Sequence, residues 1–169
     1  AVEVGKASLG NAPGFGEEPM ASFERASFSV QLLPVLLRQE IVVGTAAIEA
    51  LRLNLNVNQS GVSNWEDLVP PESSEGTAAA ADPGGGIDVN SIEIIAATIS
   101  YSDSGSGETI AINQLNLTIG RLKDDGSDVP ITASMQLDVQ PTGLGGVFEF
   151  ETTLSFDTKT GQLQLQGLA

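Results

Sequence analysis

The sequence predicts an all-β protein, mainly antiparallel: a curved or twisted extended sheet, or an open sandwich-like groove, with one short helix near residues 33–38. Two observations carry the strands. Apolar and polar residues alternate at period two in run after run, which puts every second side chain on one face of a strand. Clusters of Gly, Ser, Asp and Pro separate the runs, as turns require. A third observation limits the interior. Aromatics make up only 5% of the chain while Gly occurs 19 times, so the core must come from Leu, Ile, Val and Ala.

In chain order, Val2 to Leu9 is strand-like, and Ser27 to Leu32 carries Phe28, Val30 and Leu32 on one face. Leu33 to Arg38, with Pro34 near its start, is the one helix candidate. Ile41 to Ile48 and Ile92 to Tyr101 read as strands with apolar residues on both faces. Between them, Leu51, Leu53, Leu55 and Val57 alternate cleanly with Arg52, Asn54, Asn56 and Asn58. Within Ile110 to Ile119 the apolar parity flips between Ile112 and Leu115. A slip of one residue turns the wrong face inward, so a bulge or bend is expected near Asn113. Ala133, Met135, Leu137 and Val139 form one face, and Phe148, Phe150, Leu154 and Phe156 another. Leu163 and Leu165 alternate with glutamines.

Turns are expected at Ser104–Gly107, Asp124–Asp128 and Pro141–Gly143, with a hairpin tip at Lys159–Gly161. Val69 to Gly86, rich in Pro, Ser, Ala and Gly, reads as a mobile linker. It divides the chain into an N-terminal part, residues 1–68, and a C-terminal antiparallel meander, residues 87–169, within one continuous domain.

Composition excludes several roles. The net charge is −15, from 22 acidic and 7 basic residues, so the chain repels nucleic-acid phosphates and has no basic stripe for anionic lipid surfaces. The same charge favours a soluble monomer. With no Cys and no His there is no disulfide, no thiol chemistry and no imidazole base or ligand. No stretch reaches the length of a membrane-spanning helix, and no signal sequence opens the chain, which reads as a mature or trimmed form.

No catalytic constellation emerges. A hydrolase triad lacks its His, and Lys6, Lys123 and Lys159 are the only lysines for a substitute base. The carboxylates fall on wet faces or in turns. Asp124, Asp125 and Asp128 surround Gly126, but their spacing does not match an EF-hand loop, so a solvated acidic turn is expected in place of a calcium site. Gly14-Phe15-Gly16 and Gly84-Gly85-Gly86 lack the strand–glycine–helix setting that holds phosphate. The expectation is a protein that is not an enzyme and takes no cofactor.

Two stretches are more specific than composition. One runs Leu9-Gly10-Asn11-Ala12-Pro13-Gly14-Phe15-Gly16, followed by Glu18-Pro19-Met20-Ala21 and the strand through Leu33-Pro34-Val35-Leu36-Leu37. The other runs Leu51-Arg52-Leu53-Asn54-Leu55, then Gly61-Val62-Ser63-Asn64-Trp65-Glu66-Asp67-Leu68. In this order and spacing they resemble the N-terminal region of AsmA-family proteins. The run Leu115 to Gly120 and the strands after Gly146 are similar to the family's continuation. By their own chemistry, Asn11, Pro13, Gly14 and Gly16 supply turn geometry, and Trp65 caps the end of an apolar face.

The resemblance implies an envelope protein anchored in the inner membrane by an N-terminal helix missing here, with its body in the periplasm and a link to outer-membrane biogenesis. It further implies curved sheets that form a groove for acyl chains. On that reading phospholipid is the ligand, and Leu51, Leu53, Leu55, Val57, Met135, Leu137, Phe148, Phe150 and Phe156 face it. Other envelope proteins, or further repeats of a longer chain, are the possible protein partners. A closed sandwich shows the same alternation and leaves no groove, so the pattern alone leaves both open. A scaffold that assists outer-membrane protein assembly through a sheet edge, without lipid, is the rival reading.

Overall fold

The computed structural model describes residues 1–31, 42–68, 88–123, 127–157 and 162–166. The alternating runs form β1 (Val2–Val4), β2 (Ala7–Leu9), β3 (Ala21–Phe23), β4 (Arg25–Gln31), β5 (Val42–Glu49) and β6 (Arg52–Val57). After a 3-10 turn at Glu66–Leu68 come β7 (Asp88–Asp103), β8 (Glu108–Ile119), β9 (Leu122–Lys123), β10 (Val129–Gln140), β11 (Leu144–Asp157) and β12 (Gln162–Gln166). All twelve belong to one sheet, ordered β1-β4-β5-β7-β8-β10-β11-β12, with β2, β3, β6 and β9 paired beside that path. The architecture is all-β and open.

The short strands join into longer lines. Val4 opposes Ala26 and Ala7 opposes Phe23, so β1 and β2 form one interrupted strand against β4 and β3. Ala26 opposes Ile48 and Ala21 opposes Leu53, so β5 and β6 continue the same ladder. From β7 onward the chain is an antiparallel meander, apart from the short β9 that pairs back onto β7. The turns at Ser104–Gly107 and Pro141–Gly143 stand where the sequence placed them, each closed by a glycine at positive φ. β11 and β12 pair antiparallel, with Asp157 opposite Gln162.

The central joint departs from the antiparallel pattern. β5 and β6 both run parallel to β7, with Ile48 opposite Ile94 and Leu53 opposite Ile99. Period-two alternation is the same in either direction of pairing, so the sequence pattern does not distinguish them. The helix expected at 33–38, the linker at 69–86, the hairpin tip at 159–161 and the acidic cluster Asp124–Gly126 lie outside the described residues.

A line of backbone irregularities crosses the sheet. Ala50, Ala96 and Gln114 adopt the left-handed conformation, with φ of 51°, 53° and 51°. Register shifts flank two of them: between Ile94 and Ala97, and between Ala97 and Ile99, on the β7–β8 ladder. The bulge expected near Asn113 is therefore present, at the neighbouring Gln114. Each irregularity inserts a residue and flips the parity that follows. Apolar residues on one face consequently step by three, not two, at this level: Val4 to Ala7, Phe23 to Ala26, Ile94 to Ala97, and Ile112 to Leu115. Ile92 to Tyr101, which reads as apolar on both faces, changes parity at a kink in its middle, at Ala96.

This kink keeps a single apolar face continuous across the sheet. Directly opposed residues share a face. One row runs Val4–Ala26–Ile48–Ile94–Leu117–Ala133–Phe150, and another Leu53–Ile99–Ile112–Leu137. Little of this face is sealed. Among the described residues the buried apolar side chains are Met20, Ala97, Val129 and Ala133, whereas Phe28, Leu144 and Phe148 are exposed. A second layer packed over the sheet would bury most of its Ile and Leu residues. They are half-buried instead.

Candidate functional site

The apolar face is the feature that the fold builds on the largest scale. Leu53, Leu55 and Val57 lie on β6 opposite Ile99, Tyr101 and Asp103 of β7. Leu137 on β10 opposes Ile112 on one side and Gly146 on the other. Met135 opposes Phe148, and Phe150 opposes Ala133. Phe156 stands opposite Leu163 in the β11–β12 ladder. Leu51 sits in the break between β5 and β6, where its carbonyl accepts the Thr98 amide at 2.7 Å. The cross-strand pairing thus brings Leu53 and Leu137 onto one row, with Ile99 and Ile112 between them. It sets Met135, Phe148 and Phe150 in a neighbouring patch.

Ile94, Ile99, Ile112 and Leu117 occupy the middle of this face and are absent from the set picked out from sequence. Their signal was present, as the parity flip at Ile112/Leu115 and an equivalent three-residue step at Ile94/Ala97. A two-residue reading frame hides it.

The opposite face is polar and carries hollows. One, of about 500 Å³, is lined mainly by Asn116, Thr118, Thr132, Ser134, Glu149 and Glu151. Two others border Asn54, at about 290 and 490 Å³, and share Glu18 in their walls. All are open. Among the described residues no group of three acidic side chains is placed to hold a metal ion, and no helix is long and apolar enough to cross a membrane.

The two sequence motifs meet around Asn64, the largest fully buried side chain among the described residues, at 1% exposure. Its Nδ2 donates to Asn11 Oδ1 and to the Asn54 carbonyl, both at 2.8 Å, and its Oδ1 accepts the Asn56 amide at 3.0 Å. Its own amide donates to the Asn56 carbonyl at 2.9 Å. Every hydrogen-bonding capacity that burial would penalise is met. Asn11 in turn organises its loop: Oδ1 accepts the Ala12 amide at 3.1 Å, and Nδ2 donates to the Phe15 carbonyl at 3.0 Å. Gly10 and Pro13 carry the chain around this loop, and Gly14 and Gly16 take φ of 93° and 92°, which suits Gly alone. The motif closes the edge of β6 beyond the reach of β3. Trp65 is half-buried and Leu68 exposed, with the Leu68 amide donating to the Trp65 carbonyl at 3.0 Å.

One carboxylate is tuned. Asp103 accepts the Gly105 amide at 2.8 Å, the Ser106 hydroxyl at 2.9 Å and the Ser106 amide at 3.4 Å. These bonds, with the Gly105 amide the largest contributor, hold its pKa below the ordinary aspartate value. The residue ends β7 at the turn into β8, so its role is to shape that turn.

These features define an all-β protein built on one open mixed sheet, with an unsealed apolar face and a polar reverse. The family model described as the AsmA family matches residues 1–166, and the chain belongs to the AsmA family. Membership points to an envelope-related role, in a family whose proteins are generally non-enzymatic. Neither a curated protein nor a solved structure matches the chain.

Proposed function

We propose that this chain is a non-catalytic module of cell-envelope biogenesis whose apolar face binds phospholipid acyl chains and passes them between the inner and outer membranes. It acts within a longer protein anchored in the inner membrane, with this part in the periplasm. The observation that carries the reading is the apolar face itself, which runs unbroken from β1 to β11 with no second layer over it among the described residues. A large exposed apolar patch is unfavourable in water unless a ligand or partner covers it. An acyl chain offers a flexible apolar cylinder without hydrogen-bonding demands, which a face of Ile, Leu, Val and Phe can cover without leaving a polar group unpaired. Family membership supports the envelope setting.

The test is native mass spectrometry of the purified chain, with solvent extraction and lipid analysis of the same sample. Reproducible phospholipid is expected in the wild type and absent from a folded Leu53→Asp variant. Gln136→Asp, exposed on the opposite face, keeps its lipid. A lipid-free mass for the wild type, even after incubation with phospholipid vesicles, removes the proposal.

A further inference from the structure

At one end the apolar face stops on two carboxylates. Its last apolar row there is Leu55–Tyr101–Ile110–Val139–Leu144. One step further along the same strands, Val57 stands opposite Asp103 and Asp103 opposite Glu108, so both acids lie on the apolar face. Like charges set directly across a ladder destabilise it. Neither carboxylate has an ion-pair partner among the described residues. The sequence holds no Lys or Arg between Arg52 and Arg121, or between Lys123 and Lys159. The loop after β6 and the turns at 104–107 and 141–143, which surround the pair, all fall in these stretches.

The other charges of β7 to β11 are placed differently. Glu93, Asp138, Glu149, Glu151 and Asp157 fall on the reverse face by register. Asp88, at the far end of β7, shares the apolar face. It is matched there by Arg121, whose Nε donates to it at 2.8 Å, and it stands opposite Lys123 in the β7–β9 ladder. Asp103 and Glu108 are therefore where unbalanced charge meets the apolar face of these strands.

We propose that Asp103 and Glu108 make the face selective by headgroup charge: it takes zwitterionic phospholipids, whose ammonium group meets the carboxylates, and rejects phospholipids whose headgroup is a net anion. This rests on the lipid reading above and narrows it to a class of lipid. An acyl chain lying over Ile99, Tyr101 and Ile110 carries its headgroup past the last apolar row, beside the pair. The bonds from Gly105 and Ser106 keep Asp103 ionised there. The chain's net charge of −15 adds repulsion of the same sign at longer range. A unit charge about 4 Å from another in water is worth about a fivefold change in an equilibrium, which sets the expected preference.

The experiment incubates the chain with vesicles of equal parts phosphatidylcholine and phosphatidylglycerol carrying the same acyl chains. The chain is then reisolated and its bound lipids are read by native mass spectrometry. Both lipids come from the same vesicles, so repulsion between the acidic chain and the vesicle surface cancels in their ratio. Phosphatidylcholine is expected to exceed phosphatidylglycerol by about fivefold at low salt. The ratio falls toward one at about 1 M salt, where screening acts within about 3 Å. Glu108→Lys shifts the ratio toward the anionic lipid with circular dichroism unchanged, and Glu108→Gln shifts it the same way by less. Glu149→Lys makes the same change in net charge at an exposed position on the reverse face and leaves the ratio near its wild-type value. Bound lipid that mirrors the vesicles, or equal shifts from Glu108→Lys and Glu149→Lys, overturns the proposal and leaves the lipid reading standing. A lipid-free wild type overturns both.

Discussion

The side chain of Asn116 holds the kinked amide of Ala96: its Oδ1 accepts the Ala96 N–H at 3.0 Å across the β7–β8 ladder. The same amide group turns back along its own strand, where Nδ2 donates to the Gln114 carbonyl at 3.0 Å. One exposed side chain thus ties together the irregularities of two neighbouring strands. Replacing it with Ala leaves the Ala96 amide to solvent and is expected to lower stability by about 1–2 kcal/mol. Asn116→Asp keeps the acceptor for Ala96 and loses only the donor, so it should fall between wild type and Asn116→Ala. Urea unfolding of the three proteins orders them.

Ala96 and its neighbour Ala97 respond to glycine with opposite signs. Ala96 holds φ at 53°, where a Cβ is strained by about 1–2 kcal/mol, and glycine relieves that strain at an entropic penalty of about 0.5–1 kcal/mol. Ala96→Gly is therefore neutral or up to about 1 kcal/mol stabilising. Ala97 is fully buried in ordinary strand geometry, so Ala97→Gly loses packing as well as entropy and destabilises by about 1 kcal/mol or more. Equal destabilisation by both in denaturant melts would remove the strained kink from this account.

Asn64→Ala is expected to be among the more damaging single changes to the N-terminal half. It strips bonds from the Asn56 amide, the Asn54 carbonyl and Asn11 Oδ1 at a site with almost no access to water. A loss of about 2–3 kcal/mol follows from leaving such groups unpaired. The neighbouring Trp65, alone of its type in the chain, provides the readout, as a fluorescence shift at lower denaturant concentration than in the wild type.

Acid should loosen the turn between β7 and β8. The Asp103 pKa is depressed in the folded state, so its contribution is present above the unfolded aspartate value and is lost as pH falls through the folded one. The protection of the Gly105 and Ser106 amides against exchange, measured by NMR relative to the intrinsic rate at each pH, is expected to fall in that window. In Asp103→Asn the same amides are less protected at neutral pH, and their protection no longer changes with acid. A wild-type turn indifferent to acid would show that the carboxylate does not hold it.

How much of this was legible beforehand depended on how far each signal reached along the chain. Clean alternation in Leu51–Val57 and Ala133–Val139 gave those strands and their apolar faces directly. The flip between Ile112 and Leu115 gave the bulge, because two well-formed half-strands of opposite parity flank it. The equivalent steps at Val4/Ala7 and Phe23/Ala26 went unread because β1, β2 and β3 hold only three residues each. The parallel pairing of β5 and β6 with β7 depends on which distant segments meet, and no local pattern encodes that. Asn64 followed the same logic. Its motif reads as a turn, yet its burial comes from Asn11 and Asn54, which are 53 and 10 residues away. The apolar face was half visible: Leu53, Leu137 and Phe150 announced themselves by alternation, while Ile94 and Ile99 were masked by the kink between them.

The kink also restricts how such a chain can change length. It crosses the lines from β1 to β8 at one level, and each of these switches faces there; β10 and β11 keep the two-residue step, and the β8–β10 ladder takes up the difference as a register shift between Ser134 and Gln136. Adding or removing one residue on either side of it inverts half a strand against neighbours that have not moved. Exchanging the residue on the kink, by contrast, leaves every row in place. From β1 to β8 the strands are free to drift in composition but are locked to one another in count, like the teeth of a zip. Changes of length are confined to the turns at their ends.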